Sequence, residues 1–187
     1  LWGIVNGIDT VEWDPKTDKR LVANYDINDW KEGKAKNKEA LQKELGLEVC
    51  PDKPLIGLVS RLTNQKGVYM ITDRIREIMG MDVQFAVLGS GEDNAENAFK
   101  WMENEYKGKA VFYCGYNEDL AHRIYASSDI FLMPSLYEPC GIGQLNAMRY
   151  GTLPLVRETG GLKDTVQPYN QYTGEGNGFS FWAANAD

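Results

Sequence analysis

Residues 129–161 read DIFLMPSLYEPCGIGQLNAMRYGTLPLVRETGG. An apolar run, IFLMP (130–134), enters a turn that holds a carboxylate, a thiol and two glycines. A helix-like segment follows from Gln144 to Tyr150, and a second apolar run, TLPLV (152–156), ends in another glycine pair. Two buried-type strands joined through a helix make parallel neighbours, because such strands need a crossover and cannot use a tight hairpin.

The same alternation extends backwards from Asp129. LIGLVS (55–60) is a short apolar run, and Val68, Ile71, Ile75 and Ile78 then recur at helical spacing up to Gly80. VQFAVL (83–88) predicts a strand and is followed by a helix to about Tyr106 built on Phe99 and Met102. AVFY (110–113) predicts the next strand, with a helix carrying Leu120, Ile124 and Tyr125 after it, and a short last helix starts near Gly161. The fold class is α/β: a parallel sheet with helices on both faces. Residues 31–46 (KEGKAKNKEALQKELG) read as a lysine-rich amphipathic helix stopped by Gly46, with Ala40, Leu41 and Leu45 inward and the lysines solvated. Residues 1–30 show no period and read as loop and linker ahead of a domain over 31–187.

Composition excludes several classes. Apolar residues at 43% and charged residues at 25% describe a globular protein, and no apolar run approaches the ~18 residues of a membrane span. Net charge is −7, from 20 basic and 27 acidic residues. That balance argues against nucleic acid or an anionic membrane as partner, since both need a basic footprint. Three separated cysteines with no CxxC pair suggest neither a disulfide framework nor a zinc site, and point to a reducing, cytoplasmic home. The start LWGIVNGIDT lacks the marks of a signal peptide and an initiator Met, so the chain is expected to be part of a longer one.

In an open parallel sheet, ligands bind outside the carboxyl ends of the strands. The turn SRLTNQKG (60–67) places Arg61 and Lys66 there, suited to an anionic oxygen cluster or simply solvated. Ile142 and Gly143 stand at a helix start, where bare amides favour negative charge, and Gly141 and Gly143 would let backbone approach a ligand. Glu138 would repel a phosphate, so it would instead accept hydrogen bonds from hydroxyls beside one; a sugar on a diphosphate fits both halves. The competing reading is that Glu138 caps the helix and Cys140 packs. GSGED (89–93) fits a nucleotide loop or a plain turn, and Tyr116 could stack on a base or cover the sheet edge. His122, the only histidine, reads as structural or solvent-facing rather than a general base. With no D-x-D pair and no GxxxxGK[ST] loop, neither a carboxylate-held metal nor an ATPase is suggested.

The chain resembles the carboxyl-terminal half of bacterial glycogen synthases and plant starch synthases. It does so through Gly7-Ile8-Asp9, Trp13-Asp14-Pro15, Ser60-Arg61-Leu62-Thr63, Gln65-Lys66-Gly67 and Glu138-Pro139-Cys140-Gly141. Tyr150 to Arg157, Thr159-Gly160-Gly161-Leu162 and Asp164-Thr165-Val166 extend the likeness. Those enzymes are retaining glucosyltransferases of the two-domain GT-B fold, so the resemblance implies one Rossmann-like half of it. It implies glucose transfer from ADP-glucose to the non-reducing end of an α-1,4-glucan, with no metal or other cofactor. By the same likeness, Arg61 and Lys66 neutralise the leaving diphosphate, and Glu138, with Pro139, Cys140 and Gly141, borders the donor sugar. Ile142 and Gly143 form the phosphate turn, and Tyr116 lies against adenine.

Two departures qualify the match. Asn146 stands where some GT-B enzymes carry a second glutamate, and Gly143 where many synthases have threonine. The amino-terminal domain with its Lys-Thr-Gly-Gly loop has no counterpart here, so that domain is an expected partner and the isolated chain is expected to be inactive. Another GT-B transferase or a non-catalytic nucleotide-sugar-binding module are the alternatives.

Overall fold

The computed structural model describes residues 4–186; residues 1–3 and 187, the ends of the two expected segments, lie outside them. In chain order the elements are α1 (Trp30–Leu45), β1 (Leu55–Val59), a 3-10 turn (Asn64–Lys66), α2 (Val68–Thr72), α3 (Ile75–Gly80) and β2 (Gln84–Gly89). Then come α4 (Asp93–Glu105), β3 (Ala110–Cys114), α5 (Glu118–Ser127), β4 (Ile130–Met133), α6 (Gly143–Arg149), β5 (Leu153–Arg157), α7 (Gly160–Thr165) and β6 (Phe179–Phe181). All sheet pairings are parallel, in the order β3-β2-β1-β4-β5-β6. The order reverses between β1 and β4, and at such a switch point the flanking crossovers leave on opposite faces and open a crevice.

Alternation along each strand sends side chains to two cores. In β2, Phe85 and Val87 meet Val68, Ile71, Ile75, Phe99 and Met102 on the α2–α4 side. Ala86 and Leu88 meet Leu41, Leu120, Ile124 and Phe131 on the α1–α5 side. Every residue of β2 is buried, which explains its continuous apolar run.

Three features differ from the sequence reading. The expected helix from Val68 to Gly80 is two helices, because Arg74 leaves helical backbone (φ −123°, ψ 22°) between them. β6 is an added edge strand over Phe179–Phe181, too short to carry a period. The lysine cluster of α1 is not a uniformly solvated face: Lys34 and Lys38 are buried. Lys34 Nζ donates to the Ala126 and Tyr150 carbonyls and to Thr152 Oγ1 at 3.0, 3.3 and 2.7 Å, and burial pushes its ammonium down to about 7. Lys38 Nζ reaches Asp129 at 2.8 Å, and Asp129 in turn accepts from the Leu55 amide at 2.7 Å, so α1 is tied to the start of β1.

Among the described residues ahead of α1, 4–29, there is no helix or strand, yet Leu21 and Tyr25 lie in the α1–α5 core. Its fully buried Asp18 accepts from Tyr150 Oη at 2.7 Å and contacts His122 Nδ1 at 2.7 Å. His122 is therefore buried, not solvent-facing, with Trp13 stacked on its ring at 3.8 Å.

Burial opposes charge on Asp18, but hydrogen bonds from Tyr150, the Arg20 amide and His122 outweigh it and hold the carboxyl below its ordinary range. A depressed folded-state carboxyl contributes stability above its unfolded pKa and loses it as pH falls through the folded value. Asp18→Asn is expected to cost about 2 kcal/mol or more near neutrality. It should also flatten the fall of stability with acid below about pH 4, the ordinary Asp range. Urea unfolding of both forms at a series of pH values measures this; parallel curves would remove Asp18 from the acid response.

Candidate active site

A cavity of about 560 Å³ opens at the carboxyl ends of β1 and β4. Arg61, Lys66, Tyr116, Glu138, Pro139, Cys140, Gly141, Ile142 and Gly143, the nine residues singled out from the sequence, all line it. A cleft of the same volume near Asp14, Lys16, Trp30 and Arg149, at the other end of α6, holds none of the nine.

Backbone bonds bring the basic and acidic turns together. The Leu136 amide donates to the Gln65 carbonyl at 2.9 Å, and Gln65 Nε2 returns a bond to the Tyr137 carbonyl at 3.3 Å. Gly67 makes the approach possible: its φ is +70°, and a Cβ there would lie 1.9 Å from the Pro134 carbonyl oxygen. Lys66 Nζ consequently meets Glu138 Oε2 at 2.5 Å, with side chains 19% and 10% exposed. Ser135 Oγ donates to the same oxygen at 3.3 Å. Arg61 is exposed and has no carboxylate partner among the described residues.

Glu138 does not cap a helix. α6 begins after Ile142 with no side-chain cap, so its first amides face the cavity end without an internal acceptor. Behind it, the Gly161 amide donates to the Glu138 carbonyl at 3.1 Å, and Arg157 Nη1 to the Ser135 and Leu136 carbonyls at 3.3 and 3.2 Å. Cys140 Sγ is half-buried and accepts from the Asn6 amide at 3.2 Å.

The two glycines have reasons other than ligand approach. A Cβ on Gly141 (φ +74°) would lie 2.4 Å from Gln144 Oε1, and one on Gly143 would press on Phe131 and Met133 at 3.1 and 3.2 Å. Gly141 admits the buried Gln144 side chain, whose Nε2 binds the Cys140 and Gly141 carbonyls at 3.1 Å each; Gly143 lets α6 settle on β4.

Tyr116 is 81% exposed at the rim, so it does not cover the sheet edge. It is shared with a recess of about 270 Å³ lined also by Arg61, Gly89, Ser90 and Gly115. The GSGED turn borders that recess and also braces its neighbour: Glu92 accepts from the Asn64 amide at 2.8 Å and from Tyr69 Oη at 2.6 Å.

A cationic turn, a buried carboxylate, bare helix amides and a rim aromatic thus surround one cavity. The glycosyl transferases group 1 family model matches residues 37–187. The chain belongs to the glycosyl transferases group 1 family. This glycosyltransferase chain is 56% identical to a glycogen synthase of Bacillus cereus over 186 residues, all of this chain and 39% of the relative. A Clostridium botulinum glycogen synthase is 50% identical, with the same shares. The chain thus spans about two fifths of the length of the curated relatives it matches. Among solved structures, the catalytic domain of starch synthase IV from Arabidopsis thaliana superposes with a TM-score of 0.90. It is 42% identical, covering 98% of this chain and 38% of that one. The C-terminal domain of LpcC from Francisella tularensis, at 16% identity, shares the fold: TM-score 0.64 over 96% of this chain and 82% of its own.

Sequence reasoning did not single out Ser135, Arg157 or Gln144, because their work is to hold carbonyls and carboxylates of the 134–141 turn, and nothing in one dimension marks that. Asn146, noted only as a departure, lines the cavity, and its buried Oδ1 has no partner among the described residues.

Gly67→Ala is expected to lower stability by about 2 kcal/mol, from its positive φ and the Pro134 clash, and to loosen the pairing of Lys66 with Glu138. Chemical unfolding gives the first effect. An unchanged unfolding midpoint would show that the two turns are not held by this contact.

Proposed function

We propose that the cavity is the donor site of a glycogen synthase. Glucose passes from ADP-glucose to the non-reducing end of an α-1,4-glucan with retention of configuration. The observation that carries the reading is the convergence of Arg61, Lys66, Glu138 and the start of α6 on one cavity at the switch point. Its support from relatives is the glycogen synthase identity and the Arabidopsis starch synthase IV structure, which is described as bound to ADP and acarbose. Residues 31–187 are then the carboxyl-terminal nucleotide-sugar-binding domain, and residues 1–30 lead into it from an amino-terminal partner domain that completes the glucan site. No helix among the described residues is long and apolar enough to cross a membrane; the proposed setting is cytoplasmic.

On this reading Arg61 and Lys66 stabilise the charge that develops on the diphosphate as the bond to the sugar C1 stretches, helped by the α6 amides at Ile142 and Gly143. Arg61 is free to fork onto phosphate oxygens, and Lys66 acts as a point charge. Glu138, with the backbone of Pro139, Cys140 and Gly141, accepts sugar hydroxyls, and Tyr116 lies against adenine. The cations already supply positive charge at the leaving group, so no metal or other cofactor is assigned a role. Attack from the same face as departure needs water excluded, which closure of the partner domain would provide.

Calorimetric titration of the chain with ADP should show weak binding that Arg61→Ala and Lys66→Ala each weaken about tenfold, or ~1.4 kcal/mol. In the enzyme joined to its amino-terminal domain, either change should lower kcat by ~10²-fold or more. A near-normal kcat in both variants would sink the assignment of these cations. Normal ADP binding with no turnover in the joined wild-type protein would mark a binding module instead.

A further inference from the structure

We propose that Glu12, Glu118 and His122 form a binding site for one divalent transition ion of the zinc type, at the rim of the donor cavity. One carboxylate oxygen from each glutamate and one ring nitrogen of His122 lie within 4.8 Å of one another. Glu118 and His122 stand four residues apart on α5, so they share a face of the helix. Glu12 comes from the loop ahead of α1, where the Val11 and Glu12 amides both donate to Asp9 Oδ1, at 2.9 and 3.1 Å.

The imidazole itself points to a ligand. His122 is fully buried, and its Nδ1 is engaged by Asp18 at 2.7 Å and faces Tyr150 Oη at 3.0 Å. Asp18 can only accept when ionised, so Nδ1 carries the hydrogen, and in the neutral imidazole that binds a metal Nε2 then presents its lone pair. Nε2 is buried and has no hydrogen-bond partner among the described residues. A buried polar atom left without a partner is costly. A carboxylate holding the far nitrogen of a histidine is the usual support behind a metal-bound imidazole, where it sets the tautomer and raises basicity. The stacked Trp13 ring, 11° from coplanar, fixes the orientation of the imidazole further.

The charges favour a cation. Glu12, Asp18 and Asp119 share a single guanidinium, that of Arg20, at 2.7, 3.5 and 2.9 Å, and Glu118 adds a further carboxylate beside Glu12. Arg20 engages one oxygen of Glu12 and leaves the other. Tetrahedral coordination at about 2.0–2.2 Å needs ligand atoms about 3.4 Å apart, a contraction that two exposed glutamates make by rotating. One nitrogen and two oxygens with room for water is a zinc-like set; magnesium and calcium prefer oxygen alone. The ion would join the Asp9–Arg20 loop to α5. Trp13 and Glu118 also line the donor cavity, so the ion would stiffen one of its walls. The site stands on its own geometry and not on the identity of the donor. The absence of a D-x-D pair gave no hint of it, because its ligands come from a loop and a distant helix.

His122 is the only histidine in the chain, so its ring nitrogens give a single set of signals in a long-range proton–nitrogen NMR spectrum. The chelator-stripped chain, kept reduced, is titrated with Zn²⁺, and separately with Mg²⁺ and Ca²⁺, by calorimetry and by that spectrum. Expected are one zinc per chain, a shift of Nε2 on binding, and at least tenfold weaker binding of the other two ions. Glu12→Gln and Glu118→Gln, both at exposed positions, should each weaken zinc about 10–100-fold. Both should keep the far-ultraviolet circular dichroism and the metal-free melting temperature of the parent. Absence of zinc binding, an unmoved Nε2 signal, or zinc affinity unchanged in both variants, as with an adventitious ion held by Cys50, Cys114 or Cys140, would overturn the proposal.

Discussion

Parallel pairing of β1 with β4, Ile56 opposite Ile130 and Gly57 opposite Phe131, is the constraint from which the site follows. The sheet grows away from this pair in both directions, so the chain leaving β1 and the chain leaving β4 turn to opposite faces. Two turns that are remote in sequence are thereby held side by side with a gap between them. The first carries Arg61 and Lys66; the second carries Glu138 and leads into α6. The contacts between these two turns, Lys66 with Glu138 and Gln65 with Leu136 and Tyr137, depend on that strand order.

Within that gap, the closest ionic contact joins Lys66 to Glu138. A partly buried pair of this kind adds little net stability, because removing both charges from water offsets most of their attraction. Its consequence is geometric. The pair holds the lysine over the carboxylate, with Ser135 beside it, while Arg61 stays uncommitted at the mouth of the cavity. On the proposed reading, an incoming diphosphate would compete for Lys66 and leave Glu138 to hydroxyl groups, so one contact would serve both the ligand-free and the occupied states.

The loop ahead of α1 belongs to the same packing problem. Asp18, His122 and Tyr150 are buried together and answer one another's hydrogen bonds, and Tyr25 Oη donates to the Tyr150 carbonyl at 2.8 Å. Lys34 reaches the same carbonyl from α1. A segment without helix or strand is thus fastened by polar contacts and by Leu21 and Tyr25. Its Trp13 forms part of the cavity wall, so the loop bears on the site as directly as the strands do.

The alternation of apolar runs with helical spacing, read along residues 55–161, sufficed for the α/β class and the parallel sheet, because period and burial on both faces are local properties of a chain. Strand-end turns and their residue types pointed to Arg61, Lys66, Tyr116, Glu138, Cys140, Gly141, Ile142 and Gly143, the family resemblance added Pro139, and all nine line the cavity. What one dimension could not show was decided by contacts between distant segments. Lys34 and Lys38 are buried because carbonyls and Asp129 happen to lie where their ammonium groups end. Gly141 and Gly143 are glycines because Gln144, Phe131 and Met133 occupy the space a side chain would need. The partnership of Lys66 with Glu138 exists only once β1 and β4 are neighbours. Sequence pattern determines which faces of each element avoid water; only the folded chain determines which polar atoms meet, because that depends on ångström-scale distances between residues that are far apart along it.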